Sequence, residues 1–95
     1  MPLYALMCFD KPGSLDLRMA NREAHLAYAR DHLGQIKAAG PYLDEAGDMS
    51  GSMFLMEADC ADTVRAFNAA DPYTKAGLFE RVEVRNWRVT LGALA

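Results

Sequence analysis

Apolar residues come in short runs separated by polar, glycine- and proline-bearing clusters, and the period of the runs changes along the chain. "LYALMCF", residues 3–9, is continuously apolar and is closed by "DKPGS". That length and that punctuation predict a strand and then a turn. Across 21–39, "NREAHLAYARDHLGQIKAA", the period lengthens: Arg22, Leu26, Ala29, Leu33 and Ile36 recur on one face at helical spacing. Asn21 suits an N-cap there, and Gly40-Pro41 stops the helix. Residues 14–20 add an irregular or helical turn in front. "PYL" then predicts a short strand ending near Asp44, "DEAGDMSG" a polar turn, and "GSMFLMEA" from Gly51 a third strand. "DCADTVRAFNAAD" reads as a second helix starting near Asp59 or Ala61, with Val64 and Phe67 on its buried face. "LFERVEVRNWRVT", residues 78–90, reads as a long last strand.

The order β-α-β-β-α-β is the ferredoxin-like α+β arrangement, an antiparallel sheet with both helices on one face, and it fills residues 1–95 as a single domain. In the first strand Leu3, Ala5, Met7 and Phe9 face one way and Tyr4, Leu6 and Cys8 the other, and both sets are apolar. In the last strand Val82 and Val84 are expected opposite Phe79 and Trp87. Two apolar faces with helices for one predict a homodimer through the helix-free sheet face. A monomer with a partly exposed sheet is the other reading.

Composition narrows the class. The chain has 95 residues, 52% hydrophobic and 24% charged, which is ordinary for one globular domain. A net charge of -3 with scattered basic residues leaves no basic face for nucleic acid. No apolar run approaches the roughly 20 residues of a membrane span. The N-terminal run lacks a basic flank and reads as a strand, not a signal peptide. Cys8 and Cys60 have no metal-ligand spacing, and the strand order puts them at opposite ends of the sheet, too far apart for a disulfide. Free thiols without an export signal predict a reducing, cytoplasmic setting.

The topology gathers polar residues that lie far apart in sequence. If the end of the sheet where the first strand finishes is the top, then the first helix starts there, the second ends there, and the middle strands turn there. His25, Asp44, Ser52 and Asp71 are therefore expected at one edge. Arg22 and His25, three residues apart, are neighbours on one helix surface. Arg22 either holds an anion or snorkels past the helix end. His25, taken near the positive end of its helix, suits a neutral base, although taken alone it reads as a hydrogen-bonded structural histidine. His32, deeper on the same side, reads as structural. Asp71 either orients His25 by accepting its N–H or ends a helix before Pro72. Ser52 either bonds a substrate oxygen or starts a strand. Tyr73 is a proton donor or an aromatic wedge. The loop acid that reaches the site is Asp44, Glu45 or Asp48, or none of them. No nucleophile elbow, phosphate loop or HExxH motif occurs, and two histidines are too few and too poorly spaced for a metal centre.

Four stretches, "DKPGSLDLRMANREAHLAY", "AAGPYLD", "GSMFLMEA" and "ADPYTKAGLFERVEVRNW", resemble the YCII-related (YciI-like) family almost from end to end. The resemblance implies a ferredoxin-like domain that pairs through its sheets as a dimeric α+β barrel. It also implies an active site on a histidine–aspartate pair, here His25 and Asp71. Some members resemble a dehydrochlorinase of chlorinated aromatic breakdown, and the fold is shared with muconolactone isomerases. Relatives often carry proline after the arginine where this chain has Glu23, a change at the helix entry.

The resulting expectation is a cofactor-independent, lyase- or isomerase-like enzyme acting on a small, anionic or aromatic-derived substrate. His25 is its general base, Asp71 its orienting acid, and Arg22, Ser52, Tyr73 and Asp44 its substrate contacts. The rivals are a non-catalytic, stress-related small-molecule-binding dimer and a haem-dependent monooxygenase of the dimeric α+β barrel type.

Overall fold

The first apolar run forms strand β1 (Leu3–Asp10), and "DKPGS" reverses the chain through Gly13 at φ 71. That turn delivers helix α1 (Leu15–Arg30). Then follow β2 (Ile36–Leu43), β3 (Met49–Glu57), α2 (Ala61–Ala70), a one-turn helix α3 (Pro72–Lys75) and β4 (Phe79–Trp87). The structure, a computed structural model, describes residues 1–93. The strands form one antiparallel sheet in the order β2-β3-β1-β4, the expected ferredoxin-like arrangement. Tyr4, Leu6 and Cys8 of β1 and Phe54 and Met56 of β3 pack with Val64 and Phe67 of α2 as the core between sheet and helices.

Three expectations are corrected. The first helix begins six residues before Asn21 and ends at Arg30. Asn21 is an interior residue whose Nδ2 donates to the Leu17 carbonyl at 2.9 Å, and no N-cap. Residues 36–39, rich in helix formers, are instead edge strand: Ile36 pairs with Met56 and Ala39 with Phe54. The sheet's open edge at β3 takes these residues, and Gly34, poor in helices, lies in the turn that releases them. Pro41 is tolerated because β2 is an edge strand.

The third correction concerns β4. A bulge between Phe9 and Asp10 skips Glu80, so Asp10 pairs with Phe79 whereas Phe9 pairs with Arg81. The skip turns Phe79 to the helix side, where it packs against the core and meets the Tyr73 ring edge-on at 6.1 Å. Phe79 therefore does not share a side with Trp87. On the helix-free face β4 instead presents Arg81, Glu83, Arg85 and Trp87, opposite Phe9, Met7, Ala5 and Leu3. Glu83 pairs with both arginines, and Arg81 lies 4.2 Å over the Phe9 ring. The apolar part of that face belongs to β1 and β3, with Tyr42 of β2 stacked on Phe9 at 5.4 Å. Gly51 lies between the same two strands: a Cβ there would come 2.5 Å from the Cys8 carbonyl oxygen and 2.8 Å from the Tyr42 ring. Only glycine admits so close an approach.

Among the described residues, no helix is long and apolar enough to cross a membrane. Both cysteines are free thiols, Cys8 buried and Cys60 exposed.

Candidate active site

The stretch "AADPY" carries the centre of the site. Asp71 ends α2 in an extended conformation (φ -64, ψ 132), and Pro72 opens α3 with its fixed φ and without an N–H to satisfy. The Asp71 Oδ1 accepts the Tyr73 N–H at 2.9 Å, capping α3. The same oxygen accepts from His25 Nδ1 at 2.9 Å, with Oδ2 at 3.0 Å from that nitrogen. The two alternatives for Asp71, helix punctuation and a partner for His25, are both realised in one buried carboxylate. Its acceptor-only chemistry requires the proton on Nδ1, so a neutral His25 carries its lone pair on Nε2. Among the described residues no buried side-chain nitrogen or oxygen lacks a partner, and Nε2 has none in the protein. Nε2 is therefore the nitrogen open to the cavity.

His25 is held by rings as well. Tyr73 stacks on it at 4.0 Å with 13° between planes, and Phe54 meets it edge-on at 5.8 Å. Tyr73 is the aromatic wedge. Burial pushes its phenol up, against the lowering effect of Arg18 and Arg22, so it stays a neutral hydroxyl. The dipole argument for His25 does not survive: α1 starts at Leu15, so His25 lies in its second half, well below the positive end.

Arg18 occupies the first-turn position that the sequence reading gave to Arg22. It is 2% exposed and points from α1 onto the top of the sheet. Its Nε and Nη2 grip the Asp10 carboxylate at 2.7 and 2.9 Å, Nη2 donates to Ser52 Oγ at 2.9 Å, and its guanidinium lies 4.6 Å from the Tyr73 ring centre. Burial works against its charge, but the bond to Asp10 overcomes this and raises the arginine further. Sequence reasoning missed both Arg18 and Asp10. The signal was present: Arg18, Arg22 and His25 follow i, i+4, i+7 once the helix is started at Leu15.

A cavity of about 110 Å³ lies between α1 and the β2–β3 side of the sheet. Arg18, Arg22 and His25 of α1, Ser52 and Phe54 of β3, Tyr73 of α3 and residues 39–41 of β2 line it. Arg22 is exposed and, among the described residues, has no carboxylate partner, so its charge is available at the mouth. Asp44 does not reach this cavity. Its Oδ1 accepts from the Ala46 and Asp48 N–H groups at 2.9 and 3.0 Å, closing the β2–β3 turn. Asp44 and Asp48 border a separate polar recess of about 260 Å³ with Asp10, Lys11 and Ser14, and Glu45 borders neither space. His32 is structural: its Nδ1 donates to the Tyr28 carbonyl at 2.9 Å beside Phe67. Among the described residues no three His, Cys, Asp or Glu side chains cluster in a way that could hold a metal ion.

The YCII-related domain matches residues 2–88. The chain belongs to that family. It is 33% identical over 94 residues to the protein YciI of Escherichia coli, covering 90% of this chain and 96% of that protein. Among solved structures it is similar to the 5-chloro-2-hydroxyhydroquinone dehydrochlorinase of Burkholderia phenoliruptrix in complex with 2,5-dihydroxybenzoquinone. That match has 41% identity and a TM-score of 0.84, over 90% of this chain and 93% of the other. An antibiotic biosynthesis monooxygenase, 14% identical with a TM-score of 0.57 over 96% of this chain and all of its own, shares the ferredoxin-like fold.

Proposed function

We propose that this chain is a cofactor-independent enzyme that eliminates HCl from a small chlorinated polyhydroxybenzene, or isomerises a related ring, with His25 as its acid–base group. The observation that carries the reading is the Asp71-fixed tautomer of His25, with Nε2 open to a cavity, in a chain 41% identical to a dehydrochlorinase. A hydroxyl proton of the substrate passes to Nε2 and is returned to the ring carbon that bears chlorine, giving a keto tautomer. A second hydroxyl proton then passes to Nε2 as the C–Cl bond breaks. Chloride leaves with the bonding electrons and the ring becomes a hydroxyquinone. The net change is loss of HCl, and no oxidant is consumed. Asp71 stabilises the imidazolium formed at each transfer. Arg22 draws in and holds the phenolate form of the substrate, and Ser52 contacts one of its oxygens. Tyr73 and Phe54 supply the aromatic wall.

The test is incubation with 5-chloro-2-hydroxyhydroquinone, following chloride with an electrode and the quinone by absorbance. Release of one chloride per quinone, abolished by His25→Ala, supports the reading. Tight binding of 2,5-dihydroxybenzoquinone with no chloride from any chlorinated substrate replaces it with the rival, a small-molecule-binding module. The working unit in this proposal is a cytoplasmic homodimer. A second copy covers Leu3, Met7, Phe9 and Met53 on the helix-free face, with the Arg81–Glu83–Arg85 row at the rim.

A further inference from the structure

The helix side of β2 is bare. Opposed residues of an antiparallel pair point to the same side of the sheet, and Ala39 and Pro41 pair with Phe54 and Ser52, which are buried on the helix side. Ala39 and Pro41 are nevertheless exposed. Across from them on α1, Leu26 and Ala29 are half-buried and line the same cavity. The lining is sorted along its length. Arg18, Arg22, His25 and Ser52 stand toward the start of α1, whereas Leu26, Ala29 and Ala39 close the other end, where the lining has no polar side chain. An apolar cavity of about 150 Å³ holds one benzene ring, so the space of about 110 Å³ between α1 and the sheet suits a single ring. A group attached to that ring must leave through the mouth at Arg22 or over the slot between Leu26, Ala29 and Ala39.

We propose that this slot takes an apolar substituent of the substrate ring, so that the preferred ligand is an alkylated hydroxybenzene or hydroxyquinone and not the bare ring. The inference rests on the reading of the cavity as the site for a hydroxylated ring. The ring oxygens are drawn to Arg22 and to the open nitrogen of His25, which turns the opposite ring positions toward Leu26, Ala29 and Ala39. A charged or hydroxylated group at those positions gives up water and finds no partner. An alkyl chain instead displaces water from three apolar side chains, and each carbon adds apolar area removed from solvent. The two alanines, one on the helix and one on the strand, leave the room for it, and a larger side chain at either position closes the slot.

The experiment compares 2,5-dihydroxybenzoquinone with its 3-propyl derivative by calorimetry, on the unaltered protein and on Ala39→Leu. The propyl group is expected to tighten binding to the unaltered protein about tenfold or more, at up to about fourfold per buried methylene. Leucine at position 39 fills the slot and should bring the two affinities close to equal. If leucine excludes both rings, Ala39→Asn decides: a hydrated amide in the slot should cut the propyl advantage about threefold or more. Equal affinities in the unaltered protein, the result when a second copy covers this part of β2, overturn the proposal. Binding of neither ring overturns it too, as does a propyl advantage that the variants keep. Chloride release from a chlorinated ring without a propyl advantage removes the slot and leaves the proposed elimination standing. A propyl advantage that Ala39→Leu abolishes, without chloride release, does the reverse.

Discussion

Replacing Asp71 with asparagine changes one oxygen to an amide nitrogen and removes a charge from a group that is 1% exposed. Asparagine is as good an N-cap as aspartate, and the Tyr73 N–H at 2.9 Å must still meet an oxygen, so α3 should survive. That fixes the amide: its oxygen stays at the Oδ1 position and its NH₂ falls at the Oδ2 position, 3.0 Å from His25 Nδ1. Nδ1 then faces an acceptor and a donor together, and the preference for a proton on Nδ1 is lost. The larger loss is the charge. A hydrogen bond to a charged group contributes about 1.5–3 kcal/mol against about 0.5–1.5 for a neutral one. The imidazolium formed during turnover therefore loses the difference, on the order of 1–1.5 kcal/mol, or about 5–13-fold in rate at tenfold per 1.36 kcal/mol. The stability cost, that of weakening one hydrogen bond, should be about 1 kcal/mol, a fall of roughly 4–8 °C in Tm for a domain of this size. Chloride release by Asp71→Asn measures the first effect, thermal unfolding the second, and nitrogen-15 NMR of the His25 ring reads the tautomer directly. An asparagine variant within threefold of the parent rate, or a parent ring with its proton on Nε2, would refute the argument and return Asp71 to the role of helix cap.

Other measurements bear on the fold. Gly51→Ala should cost about 1–3 kcal/mol by overpacking, since its Cβ would lie 2.5 Å from the Cys8 carbonyl oxygen, and a denaturation midpoint equal to the parent's would contradict that contact. Native thiol titration should label Cys60, whose thiol is lowered by hydrogen bonds from Thr63 and Asp62, and spare Cys8, whose thiol burial pushes up to about 12; peptide mapping that finds Cys8 modified in folded protein would count against the buried core. Because the folded Cys8 holds its proton to a higher pH than the unfolded chain, its contribution is whole below pH 9 and is lost as pH rises toward about 12. Relative to Cys8→Ala, the parent should lose up to about 1.4 kcal/mol per pH unit in that window, and parallel urea-unfolding curves would show otherwise. Sedimentation should give a dimer that Met7→Glu dissociates, and a parent monomer at micromolar concentration would remove the second copy from the helix-free face.

Local patterns gave away the elements whose residues answer to their neighbours in sequence. The apolar run of β1, the Val64–Phe67 face of α2 and the Asp71-Pro72 stop are visible because strand burial, helical period and proline geometry act over a few residues. Their order is enough for the ferredoxin-like sheet, and that sheet is enough to bring His25 and Asp71 to one side of it. What stayed hidden depends on partners far along the chain. Residues 36–39 have helix-forming side chains, and only the unpaired edge of β3 makes them strand. The bulge at Phe9–Asp10 comes from pairing with β4, and it turns Phe79 from the open face into the core beneath Tyr73. Asp44 is one of three loop acids that the sequence offers to the site. Two backbone N–H groups of its own turn take its oxygen instead. Arg18 reads as a surface residue between Leu17 and Met19 until β1 and β3 bring Asp10 and Ser52 beneath it. A charge can be buried only where its counter-charge is already placed, and that placement exists in the folded sheet and not in the order of residues.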